Sequence, residues 1–244
     1  MLKEAIEKIV SLAEPTIREI EGSVFRITQD GDVSEIHPKP VYPPTLKLNS
    51  LDALVKMIRT EGAIHGFPLY ITVPTHLSVR CFRQPVEGLR LLRTEPYEVS
   101  ATDVPGWDGS AQMMKFEEAM IAIRTRFQPT QDAEYALKLL SDITTGSKVT
   151  YNDNGIATSV VTKTGVALQT NESIRPIVSL RPYRTFQEVE QPASQFLIRI
   201  NERGILFTEA DGGMWKLKAR ETVKAYFEER LSDEISNGSV VVAL

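Results

Sequence analysis

The sequence predicts an α+β fold, a largely antiparallel sheet or sheets with amphipathic helices packed on one face. Three observations carry this. Apolar residues recur at period 2 through most of the second half and at helical spacing in a few separate stretches. Strand-like runs come in groups and helical runs singly or in pairs, with no steady strand–helix alternation. Turn signatures, Gln29-Asp-Gly-Asp32 and Asn152-Asp-Asn-Gly155, sit between strand-like runs as hairpin loops do.

Leu2, Ile6, Ile9, Ala13, Ile17 and Ile20 fall at helical spacing. They predict an amphipathic helix over residues 2–20, kinked or split at Pro15, which lacks the N–H a continuous helix needs. Val24–Thr28 and Val33–His37 form the first expected hairpin. His37–Pro44 holds four prolines, which enforce an extended connector. It divides an N-terminal helix and hairpin, residues 1–40, from a main domain, residues 41–244, unless the chain is one domain overall. Leu51, Leu54, Val55 and Ile58 predict a helix capped by Asn49 or Ser50 and stopped at Gly62.

Strands are expected at Leu69–Val73, Ser78–Phe82, Leu89–Leu92 and Tyr97–Ala101. A loop, Pro105–Gly109, carries Trp107 either as a partner contact or as a plug over the core. Phe116, Ala119, Met120, Ile123 and Phe127 make one helix face, ended by Pro129. A second helix, Gln131–Ile143, follows as its antiparallel partner. Strands resume around the 152–155 turn and at Ile177–Leu180, Phe186–Val189, Gln195–Ile200 and Ile205–Phe207. The helix Trp215–Leu231 is expected to pack on a face of these last strands. The chain closes on an apolar strand, Val240–Leu244.

Composition bounds the function. The 244 residues are 42% apolar and 25% charged, ordinary globular values. A net charge of −4 excludes a bulk basic field of the kind that draws non-specific DNA binders to phosphate. The single cysteine, Cys81, permits no internal disulfide, which suits a reducing compartment. The charged, amphipathic start reads as no signal peptide, and no apolar run approaches the roughly 20 residues of a membrane span. A cytoplasmic protein with no membrane partner is expected.

Candidate chemistry concentrates after residue 174. Arg175, Arg181 and Arg184 surround Pro182-Tyr183, with Phe186 next. Arginines interleaved with aromatics can clamp phosphate while stacking a base, so Arg175, Arg181, Tyr183, Arg184 and Phe186 are the candidate ligand-binding set. The plainer reading is salt bridging along a strand face. Arg80, Arg83, Arg90 and Arg93 form a second basic cluster. Glu209 and Asp211 could hold a metal for phosphoryl chemistry, but Asp211 as a cap and Gly212-Gly213 as a turn explain them more simply. Glu188-Val-Glu190 with Asp211 and Lys216 lacks any nuclease spacing. His37, His65 and His76 stand apart from other metal ligands. Cys81 beside Arg80 and Arg83 is a nucleophile only if exposed, and a buried strand cysteine otherwise. No catalytic residue, metal ligand or cofactor is assigned.

Residues 45–58 (TLKLNSLDALVKMI), Tyr70–Phe82, the helix at 116–127, the hairpin at 147–163 and Pro176–Leu244 together resemble the YfdQ-like proteins of phages and prophages, a family without assigned function. The resemblance rests on apolar and turn patterns, and it implies a phage or prophage origin and no activity. The expected function is a non-enzymatic binding protein acting on nucleic acid or nucleotides, in phage replication or counter-defence. The alternatives are an assembly or inhibitor factor that binds a host or phage protein, and a metal-dependent nuclease or other phosphoryl-transfer enzyme. Self-association is expected through the terminal run Ser239–Leu244, which could act as an edge strand.

Overall fold

A computed structural model of the chain describes residues 3–5, 16–21, 23–28, 30–36, 44–83, 94–107, 112–145, 148–153, 158–164, 167–173, 175–201 and 203–244. Two compact units emerge: Met1–Pro44 with Pro85–Leu92, and Thr45–Gln84 with Arg93–Leu244. The fold is α+β, as the patterning predicts.

In the first unit, strands β1 (Thr16–Ile20), β2 (Ser23–Ile27) and β3 (Val33–Ile36) form an antiparallel meander. The β2–β3 hairpin is the expected one. Residues 16–20 are not helical. Their β-branched Thr16, Ile17 and Ile20 accompany Arg18 and Glu19, and Glu21 at φ 51° turns the chain back onto β2. The rest of that expected helix, bar residues 3–5, lies outside the described residues, as do most of the proline-rich connector and Leu89–Leu92.

The second unit holds two packed layers and a hairpin sheet. Its larger sheet has strand order β14-β5-β6-β7-β4, with β4 (Leu46–Leu48), β5 (Leu69–Thr75), β6 (Ser78–Arg83), β7 (Tyr97–Ser100) and β14 (Val240–Ala243). Both edge strands run parallel to their neighbours, and the inner pairs are antiparallel. Alternation along β5–β7 buries Leu69, Ile71, Val73, Val79, Cys81, Tyr97 and Val99 on one face. Helix α1 (Leu51–His65) and helix α4 (Trp215–Arg230) cover that face through Leu51, Leu54, Ile58, Val223 and Phe227. The short α5 (Ser232–Ser236) then leads into β14. The run Ser239–Leu244 thus occupies an edge of its own sheet.

Ser50 caps α1 by accepting the Ala53 N–H at 3.2 Å. The helix does not stop at Gly62 but runs to His65, with Gly66 at φ 76° as its C-cap. Gly62 serves packing instead: a Cβ there would sit 3.0 Å from the Phe67 ring.

The smaller sheet, β11 (Ile177–Leu180), β12 (Ser194–Asn201) and β13 (Gly204–Glu209), is antiparallel. Helices α2 (Phe116–Arg126) and α3 (Gln131–Thr145) pack on it around Ile123, Phe127, Leu140, Phe196, Ile198 and Phe207. The expectation that Trp215–Leu231 would cover these strands is corrected: Val223, Phe227 and Leu231 join the core of the larger sheet. Strands β8 (Lys148–Asp153), β9 (Thr158–Thr164) and β10 (Ala167–Ser173) form an antiparallel meander, with β8 and β9 paired as the expected hairpin.

Phe186–Val189 is not a strand. Phe186 and Val189 are both buried in the core of the larger sheet, at a three-residue spacing that fits a turn. The buried Gln191 amide organises that turn. Its oxygen accepts the N–H groups of Arg184 (3.0 Å) and Thr185 (3.2 Å), and its nitrogen donates to the carbonyls of Phe186 (2.9 Å) and Val189 (3.3 Å). Two acceptor and two donor positions are filled, the full capacity of a carboxamide.

Candidate functional site

Residues 181–185 act as a hub that fastens three other segments. Phe127 and Pro182 form an antiparallel bridge. The Tyr183 N–H donates to the Arg126 carbonyl at 2.8 Å, and the Tyr183 carbonyl accepts the Gly106 N–H at 3.0 Å. The Thr185 hydroxyl donates to the His76 carbonyl at 2.6 Å. The C-terminus of α2, the Trp107 loop and the β5–β6 turn are thereby held around Arg184. The fourth wall is the start of α4. Gly212 (φ 63°) and Gly213 (φ 81°) supply left-handed geometry for the turn into it, and Arg220 ties α4 to the Val73 carbonyl at 2.7 Å.

These segments enclose a cleft of about 450 Å³ whose lining includes His76, Trp107, Arg126, Arg184, Trp215 and Lys216, with no carboxylate on its wall among the described residues. A neighbouring cleft of about 280 Å³ carries Asp103 and Glu188 and, among the described residues, no cation. A third, of about 420 Å³, mixes Asp211 and Glu221 with Lys218. The first is therefore the electropositive one.

Arg184 is 3% exposed. Its guanidinium pairs with Glu209 and donates to the Ser194 hydroxyl, which donates on to Asp211. It also lies 3.9 Å over the Trp215 ring. Burial pulls its pKa down, while Glu209 opposes that shift. Arginine stays charged regardless. His76 meets Trp215 edge-on at 4.7 Å. Burial, then Lys216 and Arg184, lower its pKa, so the free site holds it neutral near pH 7. Arg126 and Lys216 are exposed and form no ion pair among the described residues. Among the described residues, three N–H groups of the lining, Trp107 Nε1, Arg184 Nε and Trp215 Nε1, are buried without an acceptor. Such groups ordinarily have one.

The five ligand-binding candidates read from the sequence separate, and Arg184 is the member that lines the cleft. Arg181 pairs with Glu190. Arg175 pairs with Asp132 at 3.0 Å and stacks on Tyr135. Phe186 is core, 1% exposed, and offers no face to a ligand. Tyr183 serves the hub through its backbone. Glu209 and Asp211 are held by the Arg184–Ser194 network, and Asp211 also accepts the Gly213 N–H at 3.0 Å. It shapes the glycine turn rather than capping the helix. A guanidinium beside both carboxylates opposes a cation there. Glu188 accepts the Leu51 N–H at 2.8 Å at the start of α1, away from Glu190 and its arginine. The nuclease-like set does not assemble. No group of three metal-ligating side chains occurs among the described residues.

Cys81 is fully buried and its thiol is pushed up to about 12 by burial, so the nucleophile reading fails. In the second basic cluster, Arg80 pairs with Glu95 at 3.2 Å, and Arg90 lies outside the described residues, as does Arg93. Trp107 folds onto the smaller core, 5.1 Å from Phe127. Among the described residues no helix is long and apolar enough to cross a membrane.

His76, Trp107, Arg126, Trp215 and Lys216 were not legible as a set. They come from separate segments between the β5–β6 turn and the start of α4, and the Tyr183 and Thr185 hydrogen bonds draw these segments together. Comparisons with protein families, curated proteins and solved structures return no match for this chain.

Proposed function

We propose that this protein is a non-enzymatic binding module for a phosphate-bearing ligand of the nucleotide or nucleic-acid class, held in the cleft between the Trp107 loop and the start of α4. One observation carries this: a wall bearing Arg126, Arg184, Lys216 and His76 with no carboxylate among its described residues, in a chain of net charge −4. The N-terminus of α4 adds its dipole where Trp215 and Lys216 face the cleft. Trp107, partly exposed, supplies a flat ring. A phage or prophage context, in replication or counter-defence, belongs to the same proposal and is supported by the resemblance of the sequence pattern to YfdQ-like proteins alone.

The experiment is a titration of the wild type and of Arg126→Ala/Lys216→Ala against single-stranded DNA, RNA and nucleotides at two salt concentrations. Binding that weakens with salt and with the double substitution supports the reading. Absence of binding to every phosphate ligand refutes it and favours a protein partner.

A further inference from the structure

Charge and size in the cleft narrow the ligand, given the anion-binding reading above, on which this inference rests. Arg184 contributes one positive charge, which Glu209 and Asp211, neither of them on the cleft lining, more than offset from behind. Arg126 and Lys216 contribute two more, with no ion pair among the described residues. His76 is neutral in the free site because burial and the two neighbouring cations disfavour its charged form. The exposed lining therefore presents two cations, Arg126 and Lys216, and no carboxylate among the described residues. A phosphate diester, as in a nucleic-acid backbone, carries a single negative charge. A phosphate monoester carries about −1.5 to −2 at pH 7 and offers three strong acceptor oxygens.

The available side-chain hydrogen bonding points the same way. Arg126 and Lys216 can only donate. With these donors exposed and no carboxylate on the lining among the described residues, the site fits an oxygen-rich anion. Its volume, about 450 Å³, falls in the range of small-molecule pockets, roughly 300–1,000 Å³, and suits one compact ligand. The ring of Trp107 packs against Phe127, Phe196 and Phe207 and stays partly exposed at the cleft. Trp215 differs: it is 7% exposed and already covered by Arg184, so it supports the guanidinium rather than a ligand ring.

We infer that the cleft binds a nucleoside monophosphate, its terminal phosphate between Arg126 and Lys216 and its base against Trp107. Arg184 positions the charge of the cleft floor from beneath, fixed by Glu209, Ser194 and the Trp215 ring. No covalent step is involved.

The chain offers a direct probe. It holds two tryptophans, and both line this cleft. Intrinsic fluorescence therefore reports on the site itself. The test titrates the full chain with adenosine and guanosine 5′-monophosphates, with the matching nucleosides, with the 5′-phosphate methyl esters, with inorganic phosphate, and with a single-stranded oligonucleotide. Expected are saturable quenching by a monophosphate, roughly tenfold or greater weakening for its nucleoside and its methyl ester, and a similar loss in Arg126→Ala and in Lys216→Ala. Both substituted residues are exposed, so circular dichroism should show both variants folded. Trp107→Phe should abolish most of the quenching while leaving calorimetric binding within several-fold.

Equal affinity for monoester and methyl ester overturns the inference. So does inorganic phosphate binding as tightly as the nucleotide. Tight binding of the oligonucleotide without the mononucleotides overturns it while leaving the broader proposal standing. Failure of every phosphate ligand removes both.

Discussion

Replacing Arg184 by alanine would withdraw, in one step, the partner of Glu209, the donor to Ser194 and the cation over Trp215. The residue is 3% exposed, so water cannot replace these contacts without opening the structure. Removing one member of a buried ion pair costs about 3–5 kcal/mol, chiefly because the remaining charge is left unpaired. Glu209 retains 21% side-chain exposure and keeps part of its hydration, which places the expected loss near the low end, about 3 kcal/mol. The assay is urea unfolding followed by far-ultraviolet circular dichroism. The pair substitution Arg184→Met/Glu209→Met supplies the control. It leaves neither charge unpaired, so it should cost clearly less than Arg184→Met and Glu209→Met added together. A loss under about 1 kcal/mol for Arg184→Ala, or strict additivity in the pair, would refute the assignment of Arg184 as a buried, network-held cation.

Three further outcomes follow from the same structure. Gly204→Ala should destabilise by about 3 kcal/mol or more in urea unfolding, since its Cβ would lie 2.0 Å from the Met114 carbonyl oxygen at φ 141°; a neutral effect would show that the Met114–Ile205 bridge is not formed. Gln191→Leu should cost about 2–4 kcal/mol by removing the carboxamide that bonds four backbone groups of the 184–189 turn, and amide exchange at Arg184 and Thr185 should accelerate; unchanged stability and exchange would show that Gln191 does not hold the turn. For pH, His65 and His76 both have folded values below the ordinary 6.5, each lowered first by burial. The unfolded chain then binds more protons as pH falls, so stability should decline on acidification below about pH 7; thermal melts at pH 7.5 and 5.5 with His76→Gln check this, and an unchanged slope in the variant would clear His76 of any part.

Much of the fold could be read locally. The β2–β3 and β8–β9 hairpins, the helices of the 116–143 stretch and the strands from Gln195 to Phe207 all follow from nearest-neighbour patterning. Residues 16–20 misled because their isoleucines extend a helical period that begins at Leu2, while their β-branched character favours a strand. Phe186 and Val189 misled because two apolar residues three apart suit a strand end or a turn, and Gln191 decides between them through side-chain bonds. The placement of α4 was beyond local reading: Val240 of β14 pairs with Leu69 of β5, far apart in the chain, and that pairing carries the helix to the larger sheet. The site was legible only in part. Arg184 and the Asp211–Gly213 turn stood out as charge and turn signals. Arg126 looked like the end of an amphipathic helix and His76 like an isolated turn histidine, and nothing in their own surroundings marks them as neighbours.

Whether the Trp107–Lys216 cleft is an anion site decides the functional reading. It is put to the question by isothermal titration of a purine nucleoside monophosphate into wild type and into Arg126→Glu/Lys216→Glu, with fold checked by circular dichroism. The expected result is a saturable isotherm for the wild type, weakened by added salt, and none for the charge-reversed protein. Equal binding by both, or no binding by the wild type of this or any other phosphate ligand, would contradict an anion site in this cleft.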